Sequence, residues 1–236
     1  MKHAAAIARS GAEQLALQID SRPDAALPYR LKPMTPITGD APFDDADWFF
    51  EPWWPGASAL AYIDGRHVRL QTAHMADPTI AFPELAGIAS QFAGDRLIVE
   101  GTLLVLDEDG RPDGDLLRQR LARPASRPGV GAFVVSDLLY NSGQSLMSQR
   151  FEERRARLMR NLTDGDLCVT SRGLRGDGLT LAEAVASMGV AEISARLLSA
   201  PYRAGVQDAA WLRLPVIEAP ITPTRPLLAL LQRLPL

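Results

Sequence analysis

Two apolar runs rich in β-branched residues, RLIVEGTLLVL from Arg96 and GAFVVSDLLY from Gly131, constrain the fold more than any other feature of this chain. The second reads as a buried strand. The first reads as a strand pair or a strand broken by a bulge, ended by the turn Asp109-Gly110. A hairpin precedes them, ALAYIDG then RHVRLQT around a tight Asp64-Gly65 turn. Helical spacing appears in FPELAGIASQFA, with Phe82, Leu85, Ile88 and Ala89 on one face. It appears again in Asp115 to Leu121 and in LTLAEAVASMG, where Thr180 and Glu183 form a capping-box pattern. VAEISARLL and AWLRLPVIE read as strands.

The strongest helix signal is SLMSQRFEERRARLMRNL, expected from about Leu146 to Asn161. Leu146, Phe151, Leu158 and Leu162 line its inner side, which leaves Glu152, Glu153, Arg154, Arg155 and Arg157 as a solvated face with mutual ion pairing. Strand pairs and helices without strict β-α-β alternation indicate an α+β fold with antiparallel sheets. A helix over residues 4 to 19, carrying Ile7, Leu15 and Ile19, stops at Ser21-Arg22-Pro23-Asp24. The last residues, 218–236, are proline-rich and then apolar, a tail that would dock on the domain or on a partner.

At 236 residues, 47% hydrophobic and 22% charged, the chain suits one large globular domain or two small ones. No apolar run reaches the ~20 residues of a membrane span, and Arg9 and Glu13 interrupt any secretory core, so the chain reads as cytoplasmic. The single cysteine, Cys168, excludes an internal disulfide and reads as a buried small hydrophobe. His3, His67 and His74 have no metal-site spacing, and His67 sits on the surface of a strand. The acidic run Asp107-Glu108-Asp109 reads as an exposed turn, so no metal site is assigned. A net charge of -3 gives no support to nucleic-acid binding, although a local basic patch remains compatible with it. Almost all positive charge is arginine, and the only lysines are Lys2 and Lys32.

From LKPMTPITGDAPFDDADWFFEPWWPGASALAYIDGRHVRL through FPELAGIASQF, LIVEGTLLVLDEDGRPDGDLLRQRL and FVVSDLLYNSGQSLMSQRFEERRARL to SAPYRAGVQDAAWLRL, the chain resembles the adenylation (nucleotidyltransferase) domain of bacterial ATP-dependent DNA ligases. The five segments stand in family order over about residues 30 to 216. The resemblance implies the ATP-grasp-like ligase fold, two antiparallel sheets flanked by helices with an ATP cleft between them. It divides the chain into an N-terminal helix and linker (1–29), the ligase-like domain (30–217) and the tail (218–236). The residues after Trp211 are too few for the OB-fold that follows in family ligases, so no OB-fold is expected.

In that family a lysine takes AMP from ATP, and carboxylates hold metal. Such chemistry needs an amine nucleophile and groups that stabilise charge developing on phosphate. This chain resembles the family in its scaffold and departs from it at the chemical positions. E-P-K-W-D-G reads Glu51-Pro52-Trp53-Trp54-Pro55-Gly56, with Trp53 at the lysine, Pro55 at the acidic position and Ser58 at the arginine. The Ser-Arg pair after the next strand reads Thr72-Ala73. D-G-E reads Glu100-Gly101-Thr102, and Ser136 stands for the aromatic that stacks on adenine, beside the retained Asp137. E-G-V-V-A-K reads Ala191-Glu192-Ile193-Ser194-Ala195-Arg196. W-L-K-V-K reads Trp211-Leu212-Arg213-Leu214-Pro215.

The resemblance therefore implies a pseudo-ligase with no catalytic residue and no expected cofactor, a binding or scaffold module in bacterial DNA repair. Arg196 and Arg213 are the candidate anion-binding residues, unless they pair with Glu192 or Glu218. Trp53 and Pro55 are expected to fill the old cleft, the alternative being Trp53 and Trp54 as a stacking platform for a base. A protein partner or self-association fits a scaffold. Two other readings stay open: an enzyme with a repurposed cleft acting on a nucleotide or other small anion, and a residual ligase or nucleotidyltransferase using an unrecognised lysine.

Overall fold

The computed structural model describes residues 26–216; the expected helix over residues 4–19 and the tail over 218–236 lie outside them. Eleven strands among the described residues form two sheets. The first contains β1 (Thr35–Thr38), β2 (Asp44–Pro52), β9 (Leu174–Asp177), β10 (Glu192–Leu197) and β11 (Gln207–Pro215), in the order β1-β11-β10-β2-β9. The second contains β3 (Ala57–Asp64), β4 (His67–Thr72), β5 (Leu97–Leu106), β6 (Val130–Asn141) and β7 (Gln144–Ser145), in the order β4-β3-β5-β6-β7. β8 (Cys168–Thr170) joins the second sheet on β6. Pairing is antiparallel as expected, except that β1 with β11 and β6 with β8 run parallel.

Alternation along β5 explains how this strand, buried on both faces, divides its side chains. Leu97, Val99, Leu103 and Val105 enter the core beneath the helices. Ile98, Leu104 and Leu106 turn to the other face, where they join residues of the first sheet. The expected strand pair is thus one ten-residue strand, and the irregularity belongs to its neighbour. On β6, Val135 faces Gly101 and Asp137 faces Glu100, so Ser136 is an extra residue; Leu139 is another, between Leu138 and Tyr140. These are β-bulges, which re-aim side chains. Gly101 is required at the first bulge, because a Cβ there would lie 2.2 Å from the Val134 carbonyl oxygen.

The hairpin forms one residue later than expected: Asp64 pairs with His67, and the loop is Gly65-Arg66, with Gly65 at φ 57°. The segment Pro83–Gln91 is a 3₁₀ helix. Phe82, Leu85 and Ile88 recur every three residues, which is the 3₁₀ period, and all three are buried. The turn at Asp107–Asp109 is held by Asp107 Oδ1, which accepts from the N–H groups of Asp109 and Arg111. His67 is exposed and Cys168 is fully buried; burial pushes the Cys168 thiol far above its ordinary range. No helix among the described residues is long and apolar enough to cross a membrane.

Among the described residues three α-helices lie outside the sheets: α1 (Gly114–Ala122), α2 (Phe151–Asn161) and α3 (Gly178–Ser187). The expected start of α2 at Leu146 is corrected to Phe151. Leu146 N–H donates to Leu139 O and Met147 O accepts from Tyr202 N–H, which commits that backbone to sheet-like contacts. The first amides of α2 instead reach Ala200 and Leu198. Thr180 is likewise not the N-cap of α3, which begins at Gly178. Asp44, far away in sequence, accepts from Leu179 N–H at 2.9 Å.

Arg120 of α1 is buried and pairs with Glu84 while donating to Arg127 O and Gly129 O. Burial opposes ionisation of Glu84, but hydrogen bonds from Arg120 and from backbone amides outweigh it and hold the carboxyl below its ordinary 4.5. A depressed carboxyl stabilises the fold above its unfolded value and loses that contribution as the pH falls through the folded one. Glu84→Gln is therefore expected to cost about 3 kcal/mol at pH 7, a deficit that narrows as wild type is acidified below pH 4.5. Urea titrations at pH 7 and pH 3 check this, and a deficit of equal size at both values would refute it.

Candidate functional site

Between the two sheets lies a buried cluster of six charges. The bulge at Ser136 places Asp137 directly opposite Glu100. Like charges facing each other across a strand pair are destabilising, so a cation must join them. Arg196 of β10 does so: Nη2 donates to Glu100 Oε2 at 2.9 Å and Nη1 to Asp137 Oδ2 at 3.1 Å. Its Nε lies 3.6 Å from Glu51 Oε1, and its guanidinium stacks 3.8 Å above the Trp211 ring.

Arg154 of α2 grips Asp137 from the other side in a two-point contact, Nε to Oδ1 at 2.9 Å and Nη2 to Oδ2 at 2.8 Å. Arg155 donates to Ser171 O at 2.6 Å and lies 4.0 Å over the Phe49 ring. Three arginines face three carboxylates, so the cluster is formally neutral. Around it, the Tyr202 hydroxyl donates to Glu100 Oε1 at 2.7 Å, and Trp211 Nε1 donates to Ser194 Oγ at 2.8 Å.

The electrostatics follow from burial. Desolvation raises the Glu100 carboxyl, Arg196 opposes it, and the Asp137 charge adds to the rise. For Arg196 burial works against the charge, yet Glu100, Asp137 and Glu51 outweigh it and lift the guanidinium. Arg155 is lowered, because burial there exceeds the attraction of Glu51. Burial and then Glu100 push Tyr202 well up. The free space in this cleft is a cavity of about 20 Å³, lined by Glu51, Trp54, Glu100, Ser136, Ser194 and Arg196 among others.

The expectation that Arg154 and Arg155 belong to a solvated helix face is wrong: they are 2% and 7% exposed. Leu146, Phe151, Leu158 and Leu162 are buried as expected, and the two arginines are buried on α2 together with Phe151 and Leu158 because the cluster supplies the partners that burial of charge demands. Arg196 pairs with Glu100 and Asp137 and not with Glu192. Arg213 does pair with Glu192, and its guanidinium lies 4.9 Å over Trp53. The alternative partner Glu218 lies outside the described residues.

Trp53 is half-buried, 6.1 Å from the Trp211 ring. Pro55 does not fill the cleft and is exposed, as are Ser58 and Pro215; Trp54, 2% exposed, takes the interior position. Ser136 is part-buried, its hydroxyl 3.4 Å from Glu100 O and from Arg196 Nη2. Thr102 borders the same cavity, whereas Ala191 borders an outer groove with Trp53 and Arg213. Lys32 is exposed beside a separate groove at Trp211. Sequence reasoning missed Glu51, Glu100, Arg154, Arg155 and Tyr202 as site residues. The available signal was an acidic residue inside each apolar strand run, Glu100 and Asp137, which demands a buried cation.

No protein-family model matches the chain. Among curated proteins it is 34% identical over 172 residues to a probable DNA ligase of Streptomyces avermitilis, a match covering 67% of this chain and 33% of that protein. It is 27% identical over 168 residues to the multifunctional non-homologous end joining DNA repair protein LigD of Mycobacterium tuberculosis, covering 71% of this chain and 21% of LigD. The chain thus spans a third or less of the length of these relatives. A solved mycobacterial DNA ligase D complexed with ATP and MES superposes with a TM-score of 0.69 at 26% identity, covering 79% of this chain and 60% of that one. The ligase domain of M. tuberculosis LigD gives 0.67, also at 26% identity, over 78% and 59%. The homologues of this chain are the ligase domains of LigD and of ATP-dependent DNA ligases, and its two sheets with outer helices are the adenylation-domain fold of those enzymes.

Proposed function

We propose that this ligase-like domain is non-adenylating and serves as a binding or scaffold module in DNA repair, in the cytoplasm. One observation carries the reading: Arg196, aligned by resemblance with a family lysine, is held by Glu100, Asp137 and Glu51 in a buried neutral cluster. An arginine so engaged offers no free charge to a phosphate. The indole of Trp53 offers no amine to form a phosphoramidate. Shifted groups such as Glu100 and Tyr202 are a recognised mark of catalytic sites, but a cavity of about 20 Å³ admits no substrate to them. That favours the scaffold over a repurposed enzyme. The repair setting is proposed by analogy with LigD, a non-homologous end joining DNA repair protein.

Incubation with α-labelled ATP and Mg²⁺ tests this, and the expected result is no covalent label. Stoichiometric AMP on Lys32 or Lys2, found by mass spectrometry, would overturn it.

A further inference from the structure

Outside the charge cluster, the described residues leave an apolar groove open beside α1. It measures about 520 Å³, and Leu117, Arg118 and Leu121 of α1 line it together with Trp53, Val190 and Ala191. Trp53, Leu121 and Ala191 are only half-buried there. A second groove of about 660 Å³ shares Gly56, Ala57, Arg118 and Leu121 with it, so the two form one continuous trough. Trp53 and Trp54 also line the inter-sheet cavity, which makes the trough its outer approach. An apolar surface of this extent marks a place where something docks.

The place where the described residues stop points to the occupant. β11 ends at Pro215, and Val216 N–H donates to Ala191 O at 2.8 Å. Val216 packs on the cluster that holds Trp54, Val190 and Leu214. Residues 217–236 therefore begin at the rim of the groove. Residues 1–25 enter elsewhere: Leu27 and Leu31 pack on the cluster of Met34 and Trp211, and Arg30 and Lys32 line the separate groove at Trp211.

The sequence of the C-terminal segment fits the groove. Pro220, Pro223 and Pro226 recur every third residue, and Leu227, Leu230, Leu231 and Leu234 follow. Positions i, i+3, i+4 and i+7 are the anchors with which an amphipathic helix lies in an apolar groove, and Pro226 suits its first turn. From 227 to 234 a helix spans ~12 Å, which matches the nine-residue α1. Residues 217–226 extend to ~33 Å at most, so reach does not limit the docking. Left in water, a face of four leucines is unfavourable.

We propose that residues 227–234 of this same chain occupy the groove beside α1 as an amphipathic helix. Leu227, Leu230, Leu231 and Leu234 seat on Leu121, Val190, Ala191 and Trp53, and the segment caps the approach to the inter-sheet cavity. The partner of the groove is thus the chain itself, and neither a second copy nor a foreign peptide. The docking stands or falls on the contacts of the tail, whether or not ATP labels the protein.

Photo-cross-linking of the full chain, with benzoylphenylalanine in place of Leu234, tests this. Mixing isotope-labelled and unlabelled protein separates links within one chain from links between two. The expected product joins position 234 to residues 53–57, 117–121 or 190–192 of the same chain. Links only to the groove at Lys32, links between two chains, or no link at all would overturn the proposal. Hydrogen exchange of the full chain carrying Leu230→Glu and Leu231→Glu is the second readout. The expected result is a loss of protection in α1 and around Val190, with the rest of the domain unchanged; equal protection in wild type and variant would count against the docking. Should the double variant fail to fold, the cross-link still decides.

Discussion

Replacing Arg196 by methionine is expected to lower the unfolding free energy by about 3–5 kcal/mol. The side chain is 4% exposed and touches all three carboxylates of the cluster. Methionine keeps much of the apolar stem but leaves Glu100 and Asp137 opposed on neighbouring strands, with only Arg154 and Arg155 to offset three acids. Against a typical total of ~5–15 kcal/mol, that loss is a large share of stability. The deficit should depend on pH with a definite sign. Removing the cation raises the Glu100 carboxyl further, and a raised carboxyl contributes stability at low pH that is lost as the pH climbs through the folded value. The variant is therefore weakest at and above neutrality and recovers toward the ordinary carboxyl value of 4.5. Urea titrations from pH 5 to 8 measure both effects. Arg203→Met is the control, because its partner Asp208 is met at an exposed arginine, where an ion pair is worth ~0–1 kcal/mol. A loss at Arg196 no larger than at Arg203 would refute the central role given to it.

ATP is expected to bind no tighter than millimolar. Micromolar affinity needs about 8 kcal/mol. The cleft offers little toward it, because Arg196 and Arg213 are both paired with carboxylates and Ser136 has no ring to stack on adenine. Admitting a nucleotide past the outer groove of about 520 Å³, which Trp53, Ala191 and Arg213 border, into the inner cavity of about 20 Å³ also means separating the sheets at the charge cluster. Breaking buried pairs of that kind costs ~3–5 kcal/mol, which by itself weakens binding by about two to three and a half orders of magnitude. Calorimetric titration with Mg-ATP measures this directly. A micromolar dissociation constant, abolished when Arg196 and Arg213 become alanine, would show a nucleotide sensor in place of a closed cleft.

Local pattern determined a good deal of this protein. The alternation of ALAYIDG and RHVRLQT made the β3–β4 hairpin readable, and the apolar runs around Val99 and Val134 announced the central strands. Helical spacing placed Phe151 and Leu158 of α2 inside. These are properties of neighbouring residues, and periodicity records them. The charge cluster is different in kind. Arg154 meets Asp137 across 17 residues, Arg196 meets Glu100 across 96 and Tyr202 meets Glu100 across 102. On its own helix Arg154 has the pattern of a solvated residue. Only the bulge at Ser136, which turns Asp137 toward Glu100, creates the buried negative field that draws three arginines inward. The same holds for the start of α2, set by carbonyls of Leu198 and Ala200, and for the start of α3, set by Asp44. A buried charge is tolerated only where its partners converge, and convergence of segments about a hundred residues apart is what tertiary structure alone decides.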